Sequence, residues 1–181
     1  DATSVVIMNP APLPLSRFHL VIAPHHDAIP PLPNVVETTG SLVHPWSEAA
    51  LAEAAARLET HPQFRALRLP DHRQPVIAFF VGGDTPAYEV SPAFITALMH
   101  QVQTAARAVD GSYLVTTSRR TSPGVERVVT EQCSQDPRCA LILLANQNAL
   151  DGTMEGMLGA ARVAVVTGES VSMVSEACAS G

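Results

Sequence analysis

The chain has 181 residues, 46% hydrophobic and 15% charged, enough apolar material for one domain or a pair of small ones and too much for a disordered tail. Its net charge of −6 argues against general nucleic-acid binding, where a basic surface supplies most of the affinity. No apolar run approaches the ~18 residues needed to cross a bilayer, which leaves membrane contact only as a peripheral one.

The opening residues, DATSVVIMNP, lack the basic start of a signal peptide and read as a strand entered in mid-protein. With the final glycine, they make both ends look like cuts in a longer polypeptide. Three β-branched runs follow one another over 4–8, 18–23 and 34–38, separated by proline-rich turns and no convincing helix. Residues 1–44 therefore read as the trailing part of an N-terminal α/β domain. A helix over 47–60, capped by Ser47, and the stretch 61–74 form a connecting segment, 45–74.

From residue 75 the pattern changes. The runs 75–83, 112–118, 139–145 and 162–168 are apolar at both parities, as strands of a parallel sheet covered on each face must be. Helices are predicted between them over 91–111, 122–135 and 153–161, and a last one over 169–180. The first two open on Ser-Pro pairs, Ser91-Pro92 and Ser122-Pro123, as cap and first helical residue, and Gly111 is expected to end the first. The predicted class is α/β, a Rossmann-like doubly wound parallel sheet over 75–181. The three cysteines, Cys133, Cys139 and Cys178, fit no zinc or redox spacing and read as small apolar residues of a reducing compartment. The expected location is cytoplasmic, with no metal and no cofactor.

In such sheets ligands gather at the carboxyl ends of the strands, and four loops there carry candidate chemistry. Gly82-Gly83 lets a ligand approach the backbone closely, or simply makes a tight turn. Ser118-Arg119-Arg120-Thr121 pairs two guanidinium groups before a helix start, a phosphate-binding arrangement. Asn146, Gln147 and Asn148 could reach a base or sugar, or simply shape a loop. Glu169, Ser170 and Ser172 open the last helix, whose free amides favour an anion. Glu176, two turns further, could bond ribose hydroxyls. In the front part, His25, His26 and Asp27 follow a strand. His26 beside Asp27 has the make-up of a general base.

The motifs APHHD (23–27), NVVETTG (34–40), the Gly-Gly loop, SRRT (118–121) and VTGESVSMVSEACASG (166–181) occur in an order that resembles one family. It comprises bacterial and plant proteins named for the plant mitochondrial-fission (elongated mitochondria) protein, whose bacterial members carry the labels glycosyltransferase or nucleoside-diphosphate-sugar epimerase. The chain departs from the family pattern in Glu169, where Asp is usual, and in Asn148-Ala149-Leu150 in place of Asn-Pro-Tyr.

The resemblance implies a GT-B-like architecture whose C-terminal domain, 75–181, binds a UDP- or GDP-linked sugar. By the same likeness Glu176 would contact the donor ribose and Ser118, Arg119 and Arg120 the diphosphate, while Gly82 and Gly83 would flank the phosphates or the acceptor. The expected function is sugar transfer to an unknown acceptor without a metal, with His26 and Asp27 as the base. A non-catalytic adaptor recruiting partners at a membrane surface is the alternative. An epimerase comes third, because the GxGxxG fingerprint of a nicotinamide site is missing.

Overall fold

Val-Ile-Ala-Phe-Phe-Val has no polar residue at either parity, so only a strand covered on both faces can bury it. The computed structural model, which describes residues 2–62, 64 and 74–181, shows that cover. The strand β4, Val76–Val81, has five of its six residues buried and lies inside a four-stranded parallel sheet. Its partners are β5 (Ser112–Thr117), β6 (Cys139–Leu143) and β7 (Val163–Val166), in the order β6-β5-β4-β7. All pairings are parallel, with Phe79 opposite Val115 on one side and Val165 on the other.

Helices cover both faces. Helices α2 (Pro92–Ala108) and α3 (Pro123–Gln135) supply Ile95, Met99, Val125 and Val129 to a core built on Phe79, Tyr113 and Val115. On the other face α1 (Glu48–Glu59), α4 (Thr153–Ala160) and α5 (Val171–Ala179) bring Leu51, Leu58, Met157 and Met173 against Phe80, Leu114 and Leu141. The fold is thus α/β, Rossmann-like and doubly wound.

The capping chemistry explains where the helices begin. Ser47, Ser91 and Ser122 each accept a bond from the backbone N–H three residues on, and Pro92 and Pro123 occupy positions whose N–H would have no helical partner. The end of α2 differs from expectation. Asp110, at φ 50°, takes the left-handed turn, and Gly111 is needed for space, because a Cβ there would collide with the Pro75 carbonyl. Helix α4 carries two glycines, Gly156 and Gly159, for a related reason. A Cβ on its Gly159 would overlap the Leu51 carbonyl, so this glycine lets α1 lie close against α4.

The chain divides into two compact units, Asp1–His44 and Pro45–Gly181, so that α1 belongs to the second. Residues 65–73 of the segment expected to connect the units, with Gln63, lie outside the described residues. The first unit is a three-stranded parallel sheet, β1 (Val5–Ile7), β2 (Leu20–Pro24) and β3 (Val35–Thr38), in sequence order. A 3-10 turn, His25–Asp27, continues from β2. Strand β7, at the edge of the larger sheet, is more exposed than its apolar sequence implies, with Val163 50% exposed.

Candidate functional site

Strand order decides where the second unit can bind a ligand. From β4 the chain winds through β5 to β6 and then returns to the opposite side of β4 as β7. Helix α2 leaves β4 on one face of the sheet, while α5 leaves β7 on the other. The two loops part at that point and open a crevice at the carboxyl rim, the usual ligand position in open α/β sheets.

Gly82 and Gly83 form the floor of this rim. A Cβ on Gly82 would overlap Glu169 Oε1 and lie 3.0 Å from Ser170 Cβ. A Cβ on Gly83 would overlap the backbone of Arg120. The dipeptide is therefore the seam at which the loops after β4, β5 and β7 meet: a Cβ at Gly83 would strike backbone, and one at Gly82 the Glu169 and Ser170 side chains. Two threonine hydroxyls fasten the seam. Thr167 Oγ1 accepts the Gly82 N–H at 2.8 Å and donates to Glu169 Oε1 at 3.0 Å. Thr121 Oγ1 donates to the Gly82 carbonyl and accepts the Ser118 N–H at 2.9 Å.

The SRRT stretch is a tight turn closed by the Thr121 N–H on the Ser118 carbonyl at 3.0 Å. Arg119 and Arg120 take its two corners and are exposed, while Thr121 is buried. The guanidinium groups diverge. Arg120 Nη1 reaches the Asp84 carbonyl at 3.4 Å, and Arg119 lines a depression of about 410 Å³ with Thr117, Ala145, Met154 and Met173. Ser118 Oγ accepts the Arg120 N–H at 3.2 Å. Ser118 and Thr121 thus hold the turn that presents the arginines.

At the start of α5, Ser170 is the N-cap residue but makes no side-chain capping bond, unlike Ser47, Ser91 and Ser122. Its side chain is buried at 2% exposure, and Ser172 in the first turn is exposed. Glu176 is half-buried one turn beyond Met173. Burial, and to a lesser degree the neighbouring Glu155 carboxylate, hold its carboxyl above the usual glutamate range.

The amides of the third loop are largely engaged within the protein. Asn146 Nδ2 and Gln147 Nε2 donate to the buried Glu126 at 3.0 and 3.1 Å, and Asn148 Oδ1 accepts the Leu144 N–H at 2.6 Å. These side chains shape the loop. Neither Glu126 nor Thr167 stood out in the sequence, because each makes its key bond to a loop distant in the chain.

In the first unit the histidine turn is organised differently from the expected pairing. His26 Nε2 lies 3.8 Å from Asp27 Oδ1, beyond hydrogen-bond reach, and Asp27 Oδ2 accepts the Asn9 N–H at 3.2 Å. The imidazole held by a carboxylate is His25, whose Nδ1 sits 2.7 Å from Glu37 Oε1. The register explains it: β2 and β3 pair Ala23 with Glu37, which brings Glu37 to the end of β2 where the turn begins. Both groups are exposed. Among the described residues, no three of His, Cys, Asp and Glu cluster as metal ligands, and no helix is long and apolar enough to cross a membrane. Cys133 and Cys139 are buried, while Cys178 is exposed.

A doubly wound parallel sheet with a glycine seam at its switch point defines a Rossmann-like α/β protein. The sequence profile of the mitochondrial fission ELM1 family matches residues 1–181, and the chain belongs to that family. Among curated proteins, the mitochondrial fission protein ELM1 of Arabidopsis thaliana is 28% identical over 197 residues, a match covering 92% of this chain. The chain spans 41% of that relative's length.

Proposed function

We propose that the unit formed by residues 45–181 binds a nucleoside-diphosphate sugar, UDP- or GDP-linked, and that the protein transfers the sugar to an acceptor hydroxyl. The observation that carries this reading is the Gly82-Gly83 seam, which has Glu169 and Ser170 against one residue and Arg120 against the next. One diphosphate at this seam would have the Arg120 side on one flank and the α5 N-terminus on the other, with Arg119 turned toward the neighbouring depression. Forked guanidinium bonds and unpaired first-turn amides both favour phosphate oxygens. The depression beside Arg119 supports a nucleoside next to the diphosphate. It is floored by Ala145, Met154 and Met173, and Glu176 follows Met173 by three residues, on the same side of its helix.

In the proposed transfer the acceptor oxygen forms a bond to the anomeric carbon as the bond to the diphosphate breaks. The departing diphosphate carries the charge that Arg119 and Arg120 offset. The acceptor hydroxyl gives up its proton to a general base as the new bond forms.

Isothermal titration of UDP and GDP into the protein and into an Arg119→Ala/Arg120→Ala variant tests the binding step. Charged hydrogen bonds of about 1.5–3 kcal/mol each predict a loss of at least tenfold in affinity. Equal affinity in both proteins, or no binding to the unaltered one, contradicts the reading.

A second reading is that of an adaptor, recruiting partners at a membrane surface without catalysis. The name of the Arabidopsis relative favours it, as do the exposed Val5, Ile7 and Met8 on the first sheet. Retention of partner recruitment by the double arginine variant would favour the adaptor over the transferase.

A further inference from the structure

The chain has only five Phe, two Tyr and one Trp, and two of these eight aromatic residues stand exposed together at the switch point. Tyr88 is 66% and Phe94 48% exposed. With Val90, Glu89, Gly168 and Glu169 they line a depression of about 400 Å³ between the loop after β4 and the loop after β7. Core packing does not explain them. The cores of the second unit are built without either ring, and two exposed rings gathered in one depression mark a binding site where scattered single ones would not.

The crevice is also electrostatically divided. Arg119 and Arg120 rise from the loop after β5, whereas Glu169 Oε1 lies over Gly82 from the loop after β7, and Glu89, in the loop after β4, lines the same depression as Glu169. An anionic group is repelled from the Glu89–Glu169 end and drawn to the arginine end. What remains for the carboxylate end is a neutral group rich in hydroxyl donors. Carboxylates accept paired hydrogen bonds from adjacent hydroxyls, and aromatic faces take up the apolar C–H face of a ring. A pyranose has both features. Thr167, by donating to Glu169 Oε1, leaves the second carboxylate oxygen available to such hydroxyls.

We infer that the Tyr88–Phe94 depression is a pyranose-binding subsite, with the two rings as its platform and Glu89 and Glu169 as its hydroxyl acceptors. The inference deepens the proposed function and rests on its placement of the diphosphate at the arginine end. The sugar is either the donor's or the acceptor's, and the chemistry of the subsite is common to both.

The experiment separates this inference from the reading it extends. Saturation-transfer NMR on the intact protein uses methyl pyranosides of glucose, galactose, mannose and N-acetylglucosamine, with no nucleotide present. At least one should receive saturation at its ring C–H protons. A Tyr88→Ala/Phe94→Ala variant should bind it about tenfold more weakly, since aromatic contacts of this kind carry roughly that factor. Tyr88→Phe keeps the platform and should retain the signal. Both native side chains are exposed, so the double variant should fold, and an unchanged amide spectrum outside the depression checks that it does.

Absence of transfer to every pyranoside, or a signal that survives the double variant, overturns the inference. Nucleotide binding without pyranoside binding would leave the donor reading standing and remove this one; the reverse would keep the subsite and remove the donor reading. Titration of UDP-glucose, UDP-N-acetylglucosamine and GDP-mannose beside UDP and GDP assigns the source. If truncation removes the extra affinity given by the sugar, the sugar is the donor's. If it weakens free pyranosides alone, the sugar is the acceptor's.

Discussion

Gly82 donates its backbone N–H to the Thr167 hydroxyl at 2.8 Å, joining loops 85 positions apart in the chain. That bond lies at the point where strand order reverses, and the same hydroxyl donates a hydrogen bond to Glu169. One buried side chain thereby sets the separation of the two loops that bound the crevice.

Thr167→Val keeps the shape of the side chain and removes the hydroxyl. The buried Gly82 N–H is then unpaired, at a cost of about 1–3 kcal/mol. Thermal unfolding should show a Tm lower by several degrees for a chain of this size. Thr167→Ser, which retains the acceptor, should lose distinctly less. Equal Tm values for the native protein and Thr167→Val would show that the bond does not hold the loops.

The two glycines of the seam should respond differently to alanine. At position 82 the new methyl meets the end of a side chain, Glu169, which can swing away. At position 83 it meets the backbone of Arg120 in a turn closed by its own hydrogen bonds. Overpacking against such a fixed neighbour costs about 1–3 kcal/mol. Gly83→Ala should unfold at lower denaturant concentration than Gly82→Ala. The opposite order would mean that the SRRT turn yields more easily than the Glu169 side chain.

Glu176 gives a pH-dependent test. Burial and then Glu155 raise its carboxyl above the ordinary value, so the folded protein holds the proton more tightly than the unfolded chain. The resulting stabilisation is complete below the unfolded value near 4.5 and is lost as pH rises through the raised one. Glu176→Gln, neutral throughout, should therefore raise Tm at pH 7, and the gain should close below about pH 4.5. If Glu176 also bonds a ribose, the same variant should gain stability and lose nucleotide affinity. An equal Tm for the two proteins at pH 7 would show no such penalty in the folded state.

The parts of this molecule legible in the sequence are those set by local rules. Unbroken apolar runs marked β4 and β6, a β-branched and aromatic run marked β5, and Ser-Pro pairs marked the starts of α2 and α3, because burial and capping act over a few residues. Gly82 and Gly83 were visible as glycines after a strand. What could not be read was which neighbour demanded each, since Glu169 and Arg120 approach only through strand order. The same applies to Glu37, brought to His25 by the β2–β3 register, and to Glu126, which takes up amides twenty residues on. Tyr88 and Phe94 were unremarkable in a loop and a helix start until both were found to line one depression with Glu169.

The central claim is that an anion-receptive crevice lies at the switch point of the second unit. Mapping backbone amide shifts on adding UDP or GDP to the labelled protein tests it most directly. The account predicts saturable shifts at Gly82, Gly83, Arg119, Arg120 and the first-turn amides of α5, and none in the separate groove that Gln103 of α2 and Gln132 of α3 line. No saturable shift with either nucleotide, or shifts confined to that groove, would contradict it.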